Sequence, residues 1–581
     1  MRNGPQLALA SAVVALAALA AAPAGAARER ARTWYVQAGA PADGRGTARA
    51  PFHSLADVEG ASRPGDRIVV LPAPMAAGAL DGGIRLKVRQ RLVGAGPAVA
   101  SDGDRDLAPR VTNTDPSRLE GDAVRLASGS TVRNLVIGGA HRGGVYGRNV
   151  TRVTIAGNDV SGHNTSCTAG FHIPPFNVPT TVPGAGVTIS EGLHNGWAGI
   201  MVDGSRRVAR LTIAGNRVHH GDCGDGIDLR ASRAAVMRAR VTDNRVHDLR
   251  QGESFESVLA IGLQASDGGR LVAHLDGNRQ HGLGNDEDSG VGPEGADSEG
   301  IFVNPVGPSS MRVTITRNTY THTPGRGGFS ANGLEFVSMG DGPRALVKVH
   351  DSTFSGTPGD VLEQLALGTN ARLRMRLDRV VAGGSTGFAE SGFGDTLIIP
   401  GNNGDCLIAA SGGAGNLVDL RVRDTTLTDC ANNGLTLGSA VANGSGPTRE
   451  LRLDVEGSRI TGNRGGNLRI GNLSELELLA VKVQRTDLSH SHGTTSTPAN
   501  VTAEDLGTTR RAMIDLGGGA LGSRGGNCLA GGRLAAALVG YDVHARDAWW
   551  GRPGGPGPGS VAAVDGRLDG ARPLGAPPAH C

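Results

Sequence analysis

The chain has 581 residues, with 58 Lys and Arg against 55 Asp and Glu, a formal net charge of +3. So even a balance argues against a general polyanion binder such as a nucleic-acid protein, in which a basic excess is expected. Glycine is in excess, 92 residues or about 16% against a usual ~7%, and aromatic residues make up only 3%, so a core resting on rings is excluded.

Arg2 opens a short basic stretch, and Leu7 to Ala22 form an apolar run of mostly Ala, Val and Leu. Ala24-Gly25-Ala26 then supplies the small residues that a signal peptidase reads. The run falls short of the ~20 residues of a comfortable membrane span. Residues 1–26 are therefore expected to be an export signal, leaving a secreted or periplasmic mature chain with no membrane span. Disulfides persist outside the cytoplasm, which suits the six cysteines 167, 223, 406, 430, 528 and 581. None has the C-x-x-C or Cys/His spacing of a zinc site.

From residue 150 onward one phrase recurs: alternating apolar residues, then a Gly-Asn or Asp-Asn pair, then further apolar residues. It occurs as Val153-Thr-Ile155-Ala-Gly157-Asn158 and Leu211-Thr-Ile213-Ala-Gly215-Asn216, then with Asn244, Asn278 and Asn318 at the same place. The period is roughly thirty residues, the regime of solenoids. Alternation marks half-buried strands, and the Asn after each strand is a residue type that tolerates the left-handed backbone region. Between these phrases stands a second one, Gly-apolar-x-apolar, as in Gly199-Ile-Met-Val202, Gly226-Ile-Asp-Leu229 and Gly300-Ile-Phe-Val303. Each unit thus holds three short strands and cannot bury its apolar side alone. Parallel stacking of units buries it. The fold class is all-β: a single-stranded right-handed parallel β-helix, with a short helix N-capped by Ser54 over the open N-terminal end.

Several segments carry a resemblance. Trp34-Tyr-Val36, Gly46-Thr47, Pro51-Phe52-His-Ser54-Leu55 and Pro64-Gly65-Asp66-Arg-Ile68-Val-Val70 lie at the N-terminus; Ile514 to Asn527 and Asp547-Ala-Trp549-Trp550-Gly551 lie near the other end. With the repeats, they resemble the right-handed parallel β-helix, or pectate-lyase-like, superfamily over nearly the whole mature chain. The resemblance implies a cap and first rungs over 27–100, a main stack over 101–490, a loop or linker over 491–510, and a terminal rung with tail over 511–581. It also implies a long binding groove along the Gly-apolar-x-apolar strand. The Asn-Thr-Asp, Gly-Asp-Asp and His-Gly set of polygalacturonases and the Asp-Pro-His-Asp of mannuronan epimerases are absent.

In a strand of that kind the middle and following residues point outward and stack from rung to rung. One outward column is read as His172, Met201, Asp228, Gly262, Phe302, Glu335; its neighbour is Pro174, Asp203, Arg230, Gln264, Asn304, Val337. Candidate catalytic residues are Asp203, Asp228, Arg230 and His172. Gln264, Asn304, Glu335 and Trp197 are candidate substrate contacts, Trp197 through stacking on a sugar ring. Two chemistries fit. Asp222, Asp225 and Asp228 can hold Ca²⁺, which neutralises a uronate while Arg230 or a histidine abstracts the neighbouring proton. Alternatively, two aspartates act as acid and base across ~6.5–9.5 Å in glycoside inversion. The partner is expected to be an extended, acidic polysaccharide, with lyase, hydrolase and epimerase activities left open beside a non-catalytic, adhesin-like solenoid. The acidic insertion Asn285 to Glu299 matches a Ca²⁺ loop only weakly, because Ala296 stands where a bidentate Glu is required. His163, His247 and His274 are expected at the surface or in turns. Cys406, opening a groove-side strand, is paired with Cys430 in the following turn, and Cys528 with Cys581 at the C-terminal end; Cys167 and Cys223 are left unassigned.

Overall fold

The computed structural model describes residues 31–96, 107–172, 194–255, 257–285, 297–326, 331–387, 404–440, 446–494 and 497–581. The expected export signal, Pro174 and most of the acidic insertion lie outside these residues. Three long sheets run along the described chain, the second from Arg110 to Thr461, and successive rungs within each pair in parallel. The first sheet starts at Thr33–Val36 and includes Val153–Ala156, Val208–Ala214 and Val236–Thr242; the second includes Asp159–Ser161, Arg217–Gly221 and Arg245–Leu249. The third includes Ile200–Gly204, Ile227–Ser232, Ser257–Ser266 and Asp297–Pro305. Each turn of the coil supplies one strand to each sheet in that order. The chain is a right-handed parallel β-helix.

Vertical register follows the repeats. Ile155 lies beside Ile213 and Ile213 beside Val241 in the first sheet; Ile200, Ile227, Ile261 and Ile301 stack in the third. All of these are fully or almost fully buried. At the corner between the first and second sheets, Asn158, Asn216, Asn244, Asn278 and Asn318 form a ladder, each amide nitrogen donating to the next amide oxygen at 2.9 Å. Each of these amides also donates to a backbone carbonyl of the rung before, such as Asn244 to Ile213 at 3.0 Å. The ladder corrects the sequence reading in one respect. The left-handed residue is the one before the Asn: Gly157 (φ 64°), Gly215 (φ 61°), Asp243 (φ 54°), Gly277 (φ 67°) and Arg317 (φ 53°). Turning the chain at that residue frees the Asn side chain to satisfy buried backbone groups, which would otherwise be costly.

Helix α1, Leu55–Ala61, covers the N-terminal opening: Ser54 Oγ accepts the Asp57 N–H at 3.1 Å, and Leu55 and Val58 are buried. The expected linker over 491–510 contains a strand. Ala499–Asp505 pairs with Leu468–Asn472 on one side and Leu534–Val539 on the other. Its Ser/Thr/Asn composition disguised it, because Asn500 spends its amide on three carbonyls of residues 529–531 and Thr502 is buried. Among the described residues no helix is long and apolar enough to cross a membrane. Disulfides join Cys167–Cys223, Cys406–Cys430 and Cys528–Cys581, with Cα separations of 5.2, 5.5 and 5.9 Å. The first was left open by the sequence because the two cysteines seemed two rungs apart; the strands Asp159–Ser161 and Arg217–Gly221 that precede them pair directly, so they follow adjacent rungs. Three disulfides fit an oxidising, extracytoplasmic setting.

Candidate functional site

The outer face of the third sheet is the groove face expected from the sequence, and its register can be followed strand by strand. Tyr146, Met201, Asp228, Gly262, Phe302, Glu335 and Glu363 form one outward column. Arg148, Asp203, Arg230, Gln264 and Asn304 form the next. Tyr146 therefore stands where His172 was expected, and Arg148 heads the second column. The strand Ala169–His172 leaves the coil and pairs antiparallel with His194–Gly196, so it makes a hairpin in place of a rung. The side chain of His172 lies outside the described part of the structure.

At the centre of this face Asp225 and Asp228 are both fully buried. Asp225 accepts the Leu259 N–H at 2.7 Å and the Asn195 side-chain amide. Asp228 sits between Met201 and Gly262, its carboxyl beside that of Asp225 and near the Gly262 N–H. Neither of its oxygens accepts a well-formed hydrogen bond. Gly262 makes the slot: a Cβ there would stand 2.5 Å from Asp228 Oδ1. Burial pushes the Asp225 carboxyl up to about 7, against the pull of the Leu259 and Asn195 hydrogen bonds. Burial and the adjacent Asp225 charge hold Asp228 well above the ordinary carboxylate range. Two carboxyls this close in a dry site share a proton, so the pair is not doubly ionised at neutral pH.

The surroundings explain the rigidity of the pair. His163, expected at the surface, is buried, and its Nε2–H donates to the Asp225 carbonyl at 2.8 Å. Burial drives its own ionisation down to about 4, so it stays neutral. Asn164 donates to the Cys223 carbonyl, and the Cys167–Cys223 disulfide ties the same two segments. Towards solvent, Asp203 is 24% exposed, 3.8 Å from Arg148 Nε, and in register with Arg230. Asp203 lies one rung and two residues from Asp228, about 8 Å between backbones from the strand spacings.

Other predicted residues have different duties. Asp222 is exposed in the turn ahead of Cys223 and does not join Asp225 and Asp228 in a ligand group, so the three do not form the expected Ca²⁺ site. Gln264 and Asn304 are buried: Gln264 Nε2 donates to Asn304 Oδ1 at 3.0 Å, and Asn304 donates to the Val337 carbonyl at 3.0 Å. Their amides serve the sheet and are not presented to a ligand. Glu335 is also buried, between Phe302 and Glu363. One face of Trp197 is covered by the Arg142 guanidinium 4.0 Å from the ring centre, and Tyr146 meets its edge at 5.1 Å. Arg142 is itself held by both oxygens of Asp122 at 2.9 Å. That covered face is closed to sugar stacking.

The sequence reading named Asp225 but missed that Glu299, Asp360 and Asp405 hold the same place on other rungs, two residues before the first inward residue, and that Glu363 joins Glu335 in the outward column. The run Val361-Leu-Glu-Gln-Leu365 lacks the leading Gly of the repeat, which is why Glu363 went unread. The second sheet carries a further cluster: His219, His247 and His281 stack at 5.1 and 4.9 Å between ring centres, and His247 Nδ1–H donates to Asp248 at 2.6 Å. His247 is thus a ladder residue and not a turn residue. Cys528, His580 and Cys581 also lie together, but the two thiols are spent in a disulfide.

No protein-family model matches the chain, and no curated protein matches it. Solved structures do. The A-module of a mannuronan C-5 epimerase from Azotobacter vinelandii is 13% identical over 93% of this chain and 100% of its own, with a TM-score of 0.33. The catalytic domain of an α-1,3-glucanase solved with nigerose is 14% identical over 84% of this chain and 70% of its own, with a TM-score of 0.30. A surface protein and adhesin of Streptococcus pneumoniae is 9% identical over 68% of this chain and 87% of its own, with a TM-score of 0.23. The architecture, a right-handed parallel β-helix, rests on the strand pairings above.

Proposed function

We propose that this is an exported protein that binds an extended polysaccharide along the third sheet and cleaves it by general acid catalysis. The observation that supports the reading is the Asp225–Asp228 pair. It keeps a proton at neutral pH, on the outer side of a sheet, with the carboxylate of Asp203 one rung away. Pairs of carboxyls whose environments separate their ionisation are characteristic of acid/base sites. The spacing of Asp203 from Asp228 suits a direct-displacement hydrolysis in which Asp228 protonates the leaving oxygen and Asp203 activates water. Arg148 and Arg230, flanking Asp203, would meet acidic groups on the polymer.

Complete burial of Asp225 and Asp228 favours a second reading, in which the pair is a structural hydrogen-bonding unit in a non-catalytic, adhesin-like solenoid. One experiment separates the two. The secreted protein is incubated with a panel of acidic and neutral polysaccharides while new reducing ends and the absorbance of unsaturated products are followed. Hydrolysis gives reducing ends without unsaturation, and Asp228→Asn lowers the rate by about 100-fold or more. Unsaturated products would replace hydrolysis by elimination. No product from any polymer would leave the structural reading.

A further inference from the structure

The outer face of the first sheet, on a different side of the coil from the carboxyl pair, carries cations that the structure leaves unneutralised. Arg210, Arg238 and Arg312 lie in one outward column, interrupted only by Val272. In the adjoining column Arg240, His274 and Lys348 follow Thr212, with Thr314 between the last two. Arg270, Arg344 and Arg372 continue the row on the other side. The arginines and Lys348 are exposed. Among the described residues no carboxylate forms an ion pair with any of them. The acids at the nearby turn are taken by turn arginines instead, Asp276 by Arg317 at 2.6 Å and Asp351 by Arg379 at 2.7 Å.

The same sheet behaves differently further along. Beyond Arg372 acids enter the same face and several of its cations are matched: Arg374 and Arg376 reach Asp419 at 3.7 and 2.6 Å, and Arg423 reaches Glu456 at 3.8 Å. Like charges on directly opposed strand positions destabilise a sheet, and rungs are only ~4.8 Å apart. Arginine used merely for solubility would be interleaved with acids, as it is in this later stretch. The unmatched stretch also holds a shallow cavity of about 570 Å³, lined by Arg152, Arg210, Arg238, Arg240 and Arg312 together with threonine hydroxyls.

We infer that this face is a second binding surface, a rail for a linear acidic polysaccharide running parallel to the coil axis. Cations recurring rung after rung match a polymer with regularly spaced anions better than a single small anion, and the rung spacing is close to the advance per sugar of an extended glycan. Thr154, Thr212 and Thr314 between the cations offer partners for sugar hydroxyls. No Phe, Tyr or Trp lines the cavity, and single-stranded nucleic acids bind largely by stacking bases on such rings. The inference does not depend on the chemistry proposed for Asp225 and Asp228, since it concerns another sheet.

The test is a binding titration of the full secreted chain with an oligogalacturonate, a neutral glucan of equal length and a single-stranded oligonucleotide of equal charge, at low and high salt. The expected result is salt-sensitive binding of the oligogalacturonate, none of the glucan, and weaker binding of the oligonucleotide. R210E/R238E/R312E should weaken oligogalacturonate binding roughly tenfold or more and flatten its salt dependence, as expected for loss of exposed, screened ion pairs. Reversal at the exposed positions Arg49, Arg464 and Arg533 should leave it unchanged. If the reversal lowers the melting temperature, R210Q/R238Q/R312Q takes its place. Unaltered affinity in both triple variants would overturn the proposal; tighter binding of the oligonucleotide, with the same dependence on these arginines, would overturn the choice of a glycan.

Discussion

Replacing both members of the buried pair, Asp225→Asn with Asp228→Asn, should change how stability depends on pH. In the folded protein burial holds Asp225 near 7 against an ordinary 3.8, and Asp228 is raised as well. Unfolding returns both to water, where carboxyls ionise near ~4. Above that pH the native state therefore binds more protons than the unfolded chain, and its stability declines as pH rises towards 7. For Asp225 alone the interval is about 3 pH units, which at about 1.36 kcal/mol per unit amounts to about 4 kcal/mol. The proton on Asp228 adds in the same direction. With an unfolding entropy of about 2.1 cal/mol/K per residue, 4 kcal/mol moves the melting temperature of a chain this long by about 3 °C.

The quantity to measure is the difference between wild type and double variant, not the wild-type profile. Burial lowers His163, His247 and His322 to about 4. The unfolded chain thus takes up protons at these sites below ~6.5, and their contribution to stability rises with pH. That opposite trend is common to both proteins and cancels in the difference. Asparagine at 225 mismatches the Asn195 amide, which adds an offset that does not vary with pH. Melting curves at intervals from pH 4 to pH 8 should show the advantage of the wild type shrinking by about 3 °C. A difference that stays flat, or widens with pH, would refute the raised ionisation of the pair.

Two further outcomes follow from buried polar contacts. Asn244→Ala removes the bonds to Asn278 and Ile213 and strands the Asn216 amide; denaturant unfolding should show a loss of roughly 2–4 kcal/mol, with leucine no better than alanine. Arg142→Met removes two hydrogen bonds from Asp122, which is fully buried and keeps Arg125 and the Gly143 N–H, while keeping most of the side-chain volume over Trp197. A destabilisation of about 1–3 kcal/mol is expected from thermal melts.

The repeat phrase made the coil legible because a solenoid is nearly one-dimensional: residues a rung apart are neighbours, so periodicity in sequence becomes register in space. The asparagine corner, the capping helix and both outward columns of the third sheet from Met201 and Asp203 onward could be read in that way. Where an insertion interrupts the period the method fails. His172 was assigned to a rung that is in fact a hairpin, and Cys167 was judged too far from Cys223 for the same reason. Exposure was the other failure. Gln264, Asn304 and Glu335 stand on the outward face as read, yet they are buried, because an outward side chain is solvent-exposed only if nothing lies over it.

The order of residues, then, determined the coil and which side chains share a face, since strand alternation and the thirty-residue period are local and additive. Three-dimensional packing alone decided what those side chains became. Asp228 holds a proton because Gly262 leaves a slot that shuts out water and places it against Asp225. The near-neutral total of 58 basic and 55 acidic residues likewise conceals a sorted surface. Coulomb interactions depend on distance across rungs, and only the folded coil sets those distances: arginines from separate turns are brought together on one stretch of the first sheet, and acids are matched to them on the next.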